Sequence, residues 1–329
     1  MTIRPWHIER RLARDMALLL RECESAAGAA QAIAVMDATV QMSFAINLPS
    51  QELIETAFFA AEDPQTRSQV GWTLHITDRE SLCRIPDLSW LPLQPVLQRN
   101  IDSSGLEWWI HSDVGSGVTT VIFPEHRKIV LLLRCTAELD PRALITPFRI
   151  ACAWIVRHMN GTLLHAAAMV YGTHVIALAG PSGSGKSTLA QALYETGWQP
   201  IADDAVAYRE GFVHPIYRRL KWHIPSEPSM ERLVRGKAFM SMEDGGTARR
   251  RPHELTALVF PTISSRFGMS VLHPHEARDA LSTSSLPELA GGFGGEEVIY
   301  SEACARVPTL QLSLGPNHRQ NAYQLREFL

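Results

Sequence analysis

Several absences narrow this chain before any motif is read. Its five cysteines, Cys23, Cys83, Cys135, Cys152 and Cys304, are scattered and odd in number, with neither CxxC spacing nor a histidine at zinc-finger distance. That excludes a disulfide framework and a structural zinc module, and predicts reduced, buried thiols. Long apolar runs are also missing: Asp37 breaks Ile33 to Leu48, and Arg157 with His158 break Ile150 to Met169. Neither stretch offers the roughly 18 consecutive apolar residues of a spanning helix. The first 21 residues carry five arginines but no apolar core and no small-residue cleavage site, so they read as an exposed helix rather than a secretory signal. Charge of one sign is not in excess, with 31 basic against 34 acidic residues and a formal net charge of -3. No whole-protein field draws the chain to nucleic acid or an anionic membrane, and any polyanion site must be local. There is no internal repeat and no low-complexity tract, and 46% hydrophobic with 20% charged residues is an ordinary globular balance. These absences predict a cytoplasmic globular protein with neither nucleic acid nor membrane as partner.

What is present amounts to roughly two average domains in 329 residues. Residues 1–140 mix helical and strand patterns and are expected to form an α+β domain of unassigned role. Its clearest unit is a hairpin, Val118 to Phe123 and Ile129 to Arg134, around a five-residue loop. From Asp140-Pro141, a cap followed by proline, apolar residues from Leu144 to Ile155 recur at helical steps until Asn160-Gly161 stops them. The second domain is therefore drawn over residues 141–329. Within it, strands are expected over Thr162 to Tyr171, His174 to Ala179, Trp198 to Ala202, Leu255 to Phe260 and Thr309 to Leu314. Helices are expected over Thr188 to Glu195, His275 to Leu281, Glu296 to Arg306 and Asn321 to Leu329, with a glycine loop at Gly291 to Gly295. Alternation of the two kinds favours an α/β fold.

The most informative stretch is Gly180-Pro181-Ser182-Gly183-Ser184-Gly185-Lys186-Ser187, with Thr188 opening the helix that follows. It is GxxxxGK[ST] between an apolar strand and a helix, the context a phosphate loop requires. Glycines let successive N–H groups turn into one concavity, and the helix N-terminus adds partial positive charge. Phosphate belongs there. Lys186 would reach the β- and γ-phosphates, and the Ser187 hydroxyl would be a Mg²⁺ ligand, so ATP and Mg²⁺ are the expected cofactors.

Downstream, Asp203-Asp204 close a short strand and so belong at the carboxyl end of a sheet, where α/β proteins bind ligands. Neighbours on a strand face opposite ways unless the strand ends between them, which predicts a division of labour. One carboxylate can address the Mg²⁺ and the other can accept a proton from an attacking hydroxyl. A turn-forming aspartate pair, or a pair serving only the metal, is the plainer alternative. His165 precedes Ala166-Ala167-Ala168, whose small side chains allow close packing; by itself it reads first as a satisfied core histidine.

Leu164-His165-Ala-Ala-Ala, Gly180 to Ser187, Gly197 and Ala202-Asp203-Asp204 together resemble the catalytic half of the bacterial HPr kinase/phosphorylase family. His165 lies 21 residues before Lys186, and Asp204 lies 18 after it, the spacings that family shows. The resemblance is tight over about residues 160–210 and loose beyond. It implies a P-loop-containing, HPr-kinase-like (PEP-carboxykinase-like) catalytic domain. In that domain Asp204 takes the proton of a serine hydroxyl, His165 orients that carboxylate, Lys186 and Ser187 hold triphosphate and Mg²⁺, and Asp203 stands on the metal side. The glycine-rich segment that follows the aspartates in the HPr enzymes, with its metal-binding glutamate, is absent: Arg218 to Pro228 stands in its place, with Glu227 either a loop carboxylate, the plainer reading, or a replacement for the missing metal ligand. This departure weighs against HPr as the substrate and against the reverse phosphorolysis. The similar tailoring kinases of lasso-peptide clusters imply instead a peptide partner phosphorylated on its C-terminal serine, with an oligomer left open. Arg218, Arg219, Lys221 and Arg249 to Arg251 are either solvated loop cations or binders of a peptide carboxylate or triphosphate. A small-molecule kinase or carboxykinase, an ATPase using water and a non-catalytic nucleotide-binding module remain the alternatives, although Gly291 to Gly295 lacks the serine and glutamine of an ABC signature.

Overall fold

A computed structural model describes residues 16–21, 30–36, 38–44, 54, 57–60, 71–78, 96–101, 105–113, 118–133, 148–222, 233–234, 237–241, 251–284 and 296–329. The fold is α/β with mixed sheets, and the chain divides into two compact units, Met1–Leu144 and Ile145–Leu329.

In the first unit, β1 (Ala30–Val35), β2 (Ala38–Phe44), β3 (Phe59–Ala60), β4 (Trp72–Asp78), β5 (Val96–Ile101), β6 (Glu107–Asp113), β7 (Val118–Phe123) and β8 (Lys128–Leu133) form one sheet. Its order is β3-β1-β2-β4-β8-β7-β6-β5, parallel at β2–β4–β8 and antiparallel elsewhere. β7 and β8 are the expected hairpin, with Lys128 drawn into the strand by its pairing with Phe123, so that the turn is one residue shorter than the sequence suggests. The helical residues 16–21 are not the exposed surface that the arginines implied. Met16, Leu19 and Leu20 are buried against Trp108, Ile110, Val121, Phe123, Val130 and Leu132, because the apolar side of this turn faces the apolar side of the sheet. Between β2 and β4, buried Ser43 Oγ and His75 Nδ1 lie 2.8 Å apart, and burial lowers the imidazole pKa from its ordinary 6.5.

The second unit opens with α1 (Arg149–His158); Asp140 and Pro141, from which the sequence predicts this helix, lie outside the described residues. It continues through β9 (Thr162–Leu164), β10 (Ala166–Tyr171), β11 (His174–Ala179), α2 (Lys186–Glu195), β12 (Gln199–Ala202), β13 (Val206–Arg209), β14 (Phe212–Pro215) and β15 (Arg219–Trp222). There follow β16 (Leu233–Val234), β17 (Lys237–Ser241), β18 (His253–Glu254), β19 (Ala257–Ile263), β20 (Gly268–Val271), α3 (Pro274–Ser284), α4 (Glu296–Arg306), β21 (Thr309–Leu314) and α5 (His318–Phe328). The main sheet has the order β12-β10-β11-β19-β21-β20; beside it stand a four-stranded sheet, β18-β14-β13-β9, and a three-stranded one, β15-β17-β16.

The main sheet is apolar on both faces. Ala166 and Ala168 of β10, with Val175, Ala177 and Ala179 of β11, belong to one cluster with Leu258, Phe260, Ala277, Leu281, Ile299, Tyr300 and Ala303. The alternate residues Ala167, Met169, Ile176 and Leu178 are buried as well. On such strands near-continuous hydrophobicity is expected, and it is what made β11 readable. Helix α2 lies against β10 and against α5, where Arg326 donates to Thr196 O at the end of α2 (3.1 Å) and to the Tyr171 hydroxyl.

One strand expected to be continuous changes sheets instead, and the chain after the strand expected to end at Ala202 does the same. Thr162 to Tyr171 breaks at His165, with β9 in the four-stranded sheet and β10 in the main one. The stretch from Gln199 to Arg209 breaks in the same way at Asp203 and Asp204. Antiparallel pairing holds on both sides of the breaks, through Ala168↔Ala202 and Val206↔Leu164. Gly161 fixes the approach to β9: a Cβ there would stand 2.9 Å from Tyr208 O and 2.9 Å from Val156 Cγ1. β19 also departs from expectation, running through Pro261 to Ile263. The Leu258 amide donates to Pro308 O, on the β21 side, so by alternation Pro261 turns its missing N–H toward β11, whose pairing with β19 ends at Val259. At that point the strand is an edge on that side, and proline is tolerated.

Candidate functional site

β10 runs antiparallel to both β11 and β12, so those two strands run the same way and end at the start of β10. Ala179 pairs with Ala166, and Ala202 with Ala168. The residues that follow β11 and β12, and the one that precedes β10, therefore meet at one sheet edge: Gly180, Asp203 and His165. β19 is parallel to β11 and β21 to β19, which brings their carboxyl ends to the same edge. A Cβ on Gly185 would stand 2.6 Å from Leu314 Cδ1 and 3.8 Å from Ile263 Cγ1.

Between β11 and α2 the loop is wound by three glycines in conformations that L side chains avoid: Gly180 (φ 150), Gly183 (φ 86) and Gly185 (φ 101). Pro181, Ser182 and Gly183 are exposed, whereas Ser184 and Lys186 are buried. Lys186 Nζ donates to Gly180 O (2.6 Å) and Pro181 O (2.9 Å), which folds the ammonium over the loop. Ser184 Oγ is buried with no hydrogen-bond partner among the described residues, and leaving such a group unsatisfied costs about 1–3 kcal/mol. Gly185 caps α2 without a side-chain hydrogen bond, so the helix presents uncapped first-turn N–H groups here, with Ser187 half-buried and Thr188 exposed. An ammonium, an orphaned hydroxyl and a helix N-terminus around a glycine cradle are a donor set suited to an anion such as phosphate.

The acidic pair sits where β12 has ended. Asp203 is 3% exposed, and its Oδ1 accepts the Asp204 amide at 3.0 Å. Asp204 takes a left-handed backbone (φ 69), a conformation aspartate adopts more readily than most residues. That turn removes the strand alternation the sequence reading weighed. It leaves Asp204 Oδ1 3.5 Å from His165 Nε2 and Oδ2 3.8 Å from Arg149 Nη1. Both separations exceed ordinary hydrogen-bond lengths, so the two partners act on the carboxylate chiefly through charge and dipole. Behind them the Tyr217 hydroxyl donates to Cys152 Sγ (3.4 Å), and both side chains are buried. Burial pushes the Cys152 thiol up to about 12 and the Tyr217 phenol well above its ordinary value. Both stay neutral near neutral pH, so this thiol is no nucleophile.

The fold thus brings His165, Gly180 to Thr188, Asp203 and Asp204 to one edge. Arg149 joins them without having been singled out in the sequence, because a helix drawn from Asp140 places it mid-helix, whereas it opens α1. A basic residue in a first helical turn, against the helix dipole, is the signal that marks it. Of the basic groups considered, Arg218 is half-buried, Arg251 is exposed, and Arg219 and Lys221 lie on β15. Glu227, Arg249, Arg250 and Gly291 to Gly295 lie outside the described residues. Among the described residues no group of three or more His, Cys, Asp or Glu side chains is placed to hold a metal. No described helix is long and apolar enough to cross a membrane. Compared with known proteins, the chain matches no family model and no curated protein.

Proposed function

We propose that the second unit is a P-loop, HPr-kinase-like (PEP-carboxykinase-like) catalytic domain acting in the cytoplasm. It transfers the γ-phosphate of ATP to a serine hydroxyl of a peptide or protein. The acceptor is the C-terminal serine of a lasso-peptide precursor, the class that the resemblance implies. The observation that supports this reading is the meeting of a glycine-wound phosphate loop, His165 and the Asp203-Asp204 pair at one sheet edge. A carboxylate within reach of a phosphate site is what an alcohol acceptor requires and what simple nucleotide storage does not.

The loop from Gly180 to Thr188 would hold the triphosphate, with Lys186 turning from the loop carbonyls to phosphate oxygens, while Ser187 and Asp203 would hold Mg²⁺. The nucleotide supplies the phosphoryl group, and the cation neutralises charge on it. Asp204 accepts the serine proton as the serine oxygen bonds to phosphorus and the bond from phosphorus to the departing diphosphate oxygen breaks. His165 faces the same carboxylate and fixes its aim. Little covalent work falls to the protein, since positioning and electrostatics supply most of the rate in phosphoryl transfer.

The test is mass spectrometry of a precursor peptide ending in serine, incubated with ATP, Mg²⁺ and either the wild-type protein or Asp204→Asn. A phosphate increment on the serine is expected, falling by about 10²-fold or more in the variant. ATP consumed without an increment would move the reading to a water-using ATPase, and transfer to a metabolite in the absence of peptide would move it to a small-molecule kinase.

A further inference from the structure

We propose that Arg149 is a positioning residue for Asp204, holding one oxygen of the carboxylate so that the other is presented to the acceptor hydroxyl. The proposal rests on the kinase reading for its chemistry, though its geometry is independent of it. Asp204 divides its two oxygens between two partners from different parts of the chain: Oδ1 toward His165 Nε2 at 3.5 Å, and Oδ2 toward Arg149 Nη1 at 3.8 Å. A carboxylate drawn from both sides cannot swing about its terminal bond without leaving one of them.

The local sequence gives a second line of argument. Arginine in the first turn of a helix opposes the helix dipole, and α1 already carries its favourable cations, Arg157 and His158, in its last turn. Phe148, just before Arg149, has φ 59, a left-handed conformation that a bulky aromatic residue rarely adopts, and it provides no side-chain cap. Asp204 is itself left-handed. Each choice is unfavourable for its own element, and both place a side chain at the same point, the pattern expected where strain serves a site. Arg149 is 31% exposed and Asp204 15%, so solvent screens the pair, and the contact supplies mainly aim and only a small part of the stability.

The experiment compares wild type, Arg149→Gln, Arg149→Lys, Asp204→Asn and the Arg149→Gln/Asp204→Asn double variant for peptide phosphorylation, nucleotide affinity and thermal denaturation. Arg149→Gln is expected to lower kcat by about 10²-fold, the loss that a misplacement of roughly 1 Å causes, with nucleotide affinity unchanged. Arg149→Lys should recover part of the rate. In the Asp204→Asn background, Arg149→Gln should cost nothing further, since its effect passes through the carboxylate. An equal loss in both backgrounds, a loss confined to nucleotide affinity, or no loss at all would overturn the proposal. If the wild-type protein makes no phosphopeptide, the kinase reading fails on its own, and the denaturation cycle still decides. Arg149→Gln should then lower the midpoint in the wild-type background and not in Asp204→Asn, and equal shifts in both would overturn the pairing.

Discussion

Replacing Gly185 by alanine tests whether the phosphate loop owes its shape to backbone freedom or to space. The residue has φ 101, and a Cβ there would stand 2.6 Å from Leu314 Cδ1, far inside van der Waals contact. Gly183, two residues earlier, has φ 86 with nothing within 4 Å of its Cβ position, so it isolates the conformational part of the cost. Holding alanine at such a φ costs roughly 1–2 kcal/mol, the whole expected effect of Gly183→Ala. At Gly185 the methyl must also displace the tip of Leu314, a side chain only 3% exposed at the end of β21, which adds about 1–3 kcal/mol of overpacking. Gly185→Ala should therefore destabilise by about 2–5 kcal/mol, a loss a domain of ordinary stability survives. Chemical denaturation of both variants measures the difference directly, and calorimetry with ATP should show a more than tenfold weaker complex for Gly185→Ala, because the amides at the start of α2 are re-aimed. Equal stabilities for the two variants would refute the steric argument, and undiminished ATP affinity in Gly185→Ala would refute the placement of phosphate in this loop.

Asp203→Asn is expected to weaken Mg²⁺-dependent nucleotide binding, seen as a rise in the Mg²⁺ concentration needed for half-maximal binding, whereas Asp204→Asn should leave that concentration unchanged; the reverse pattern would exchange their roles. Burial holds the His75 imidazole pKa below 6.5, so as pH falls through that value the unfolded chain takes up a proton that the folded chain resists, and stability declines. His75→Gln should flatten that decline in denaturation midpoints between about pH 7 and 5, and an unchanged slope would show that the imidazole is not the group responsible. Arg326 donates to Thr196 O, bonds the Tyr171 hydroxyl and lies 4.3 Å from the Tyr171 ring centroid. Arg326→Ala should cost about 1–2 kcal/mol in denaturation with ATP affinity unaltered, and a loss of affinity instead would show that α5 reports to the loop.

Legibility tracked how local the determining physics is. The strand His174–Ala179 and the loop from Gly180 to Ser187 could be read outright, because an apolar run, three glycines and a lysine act within a few residues of one another. Glu296–Arg306 and Thr309–Leu314 likewise match their sequence patterns. The break at His165 could not be read, since Leu164 and Ala166 on either side are equally apolar and only the sheet each joins differs. Nor could the first unit's sheet, whose parallel pairs, such as Val40↔Trp72 and Thr73↔Lys128, join residues far apart in the chain. The two aspartates are legible from their place after a strand, and His165 through the family resemblance. Arg149 is not, because its meaning depends on where α1 begins, and the cap at Phe148 bears none of the residues that advertise a helix start.

Pro261 ends the ladder between β11 and β19 on the side that faces the phosphate loop. A residue with an amide there could have carried the parallel zipper one step further, to the carbonyl of Ala179 at the end of β11. Gly180 O, the next carbonyl, accepts from Lys186 Nζ, and the Pro261 carbonyl lies 3.9 Å from the Cβ position of Gly180. The imino acid thus insulates a deformable binding element from a rigid one. The sheet can propagate order right up to the loop without absorbing it, and the lysine is tethered by a bond that a ligand can replace.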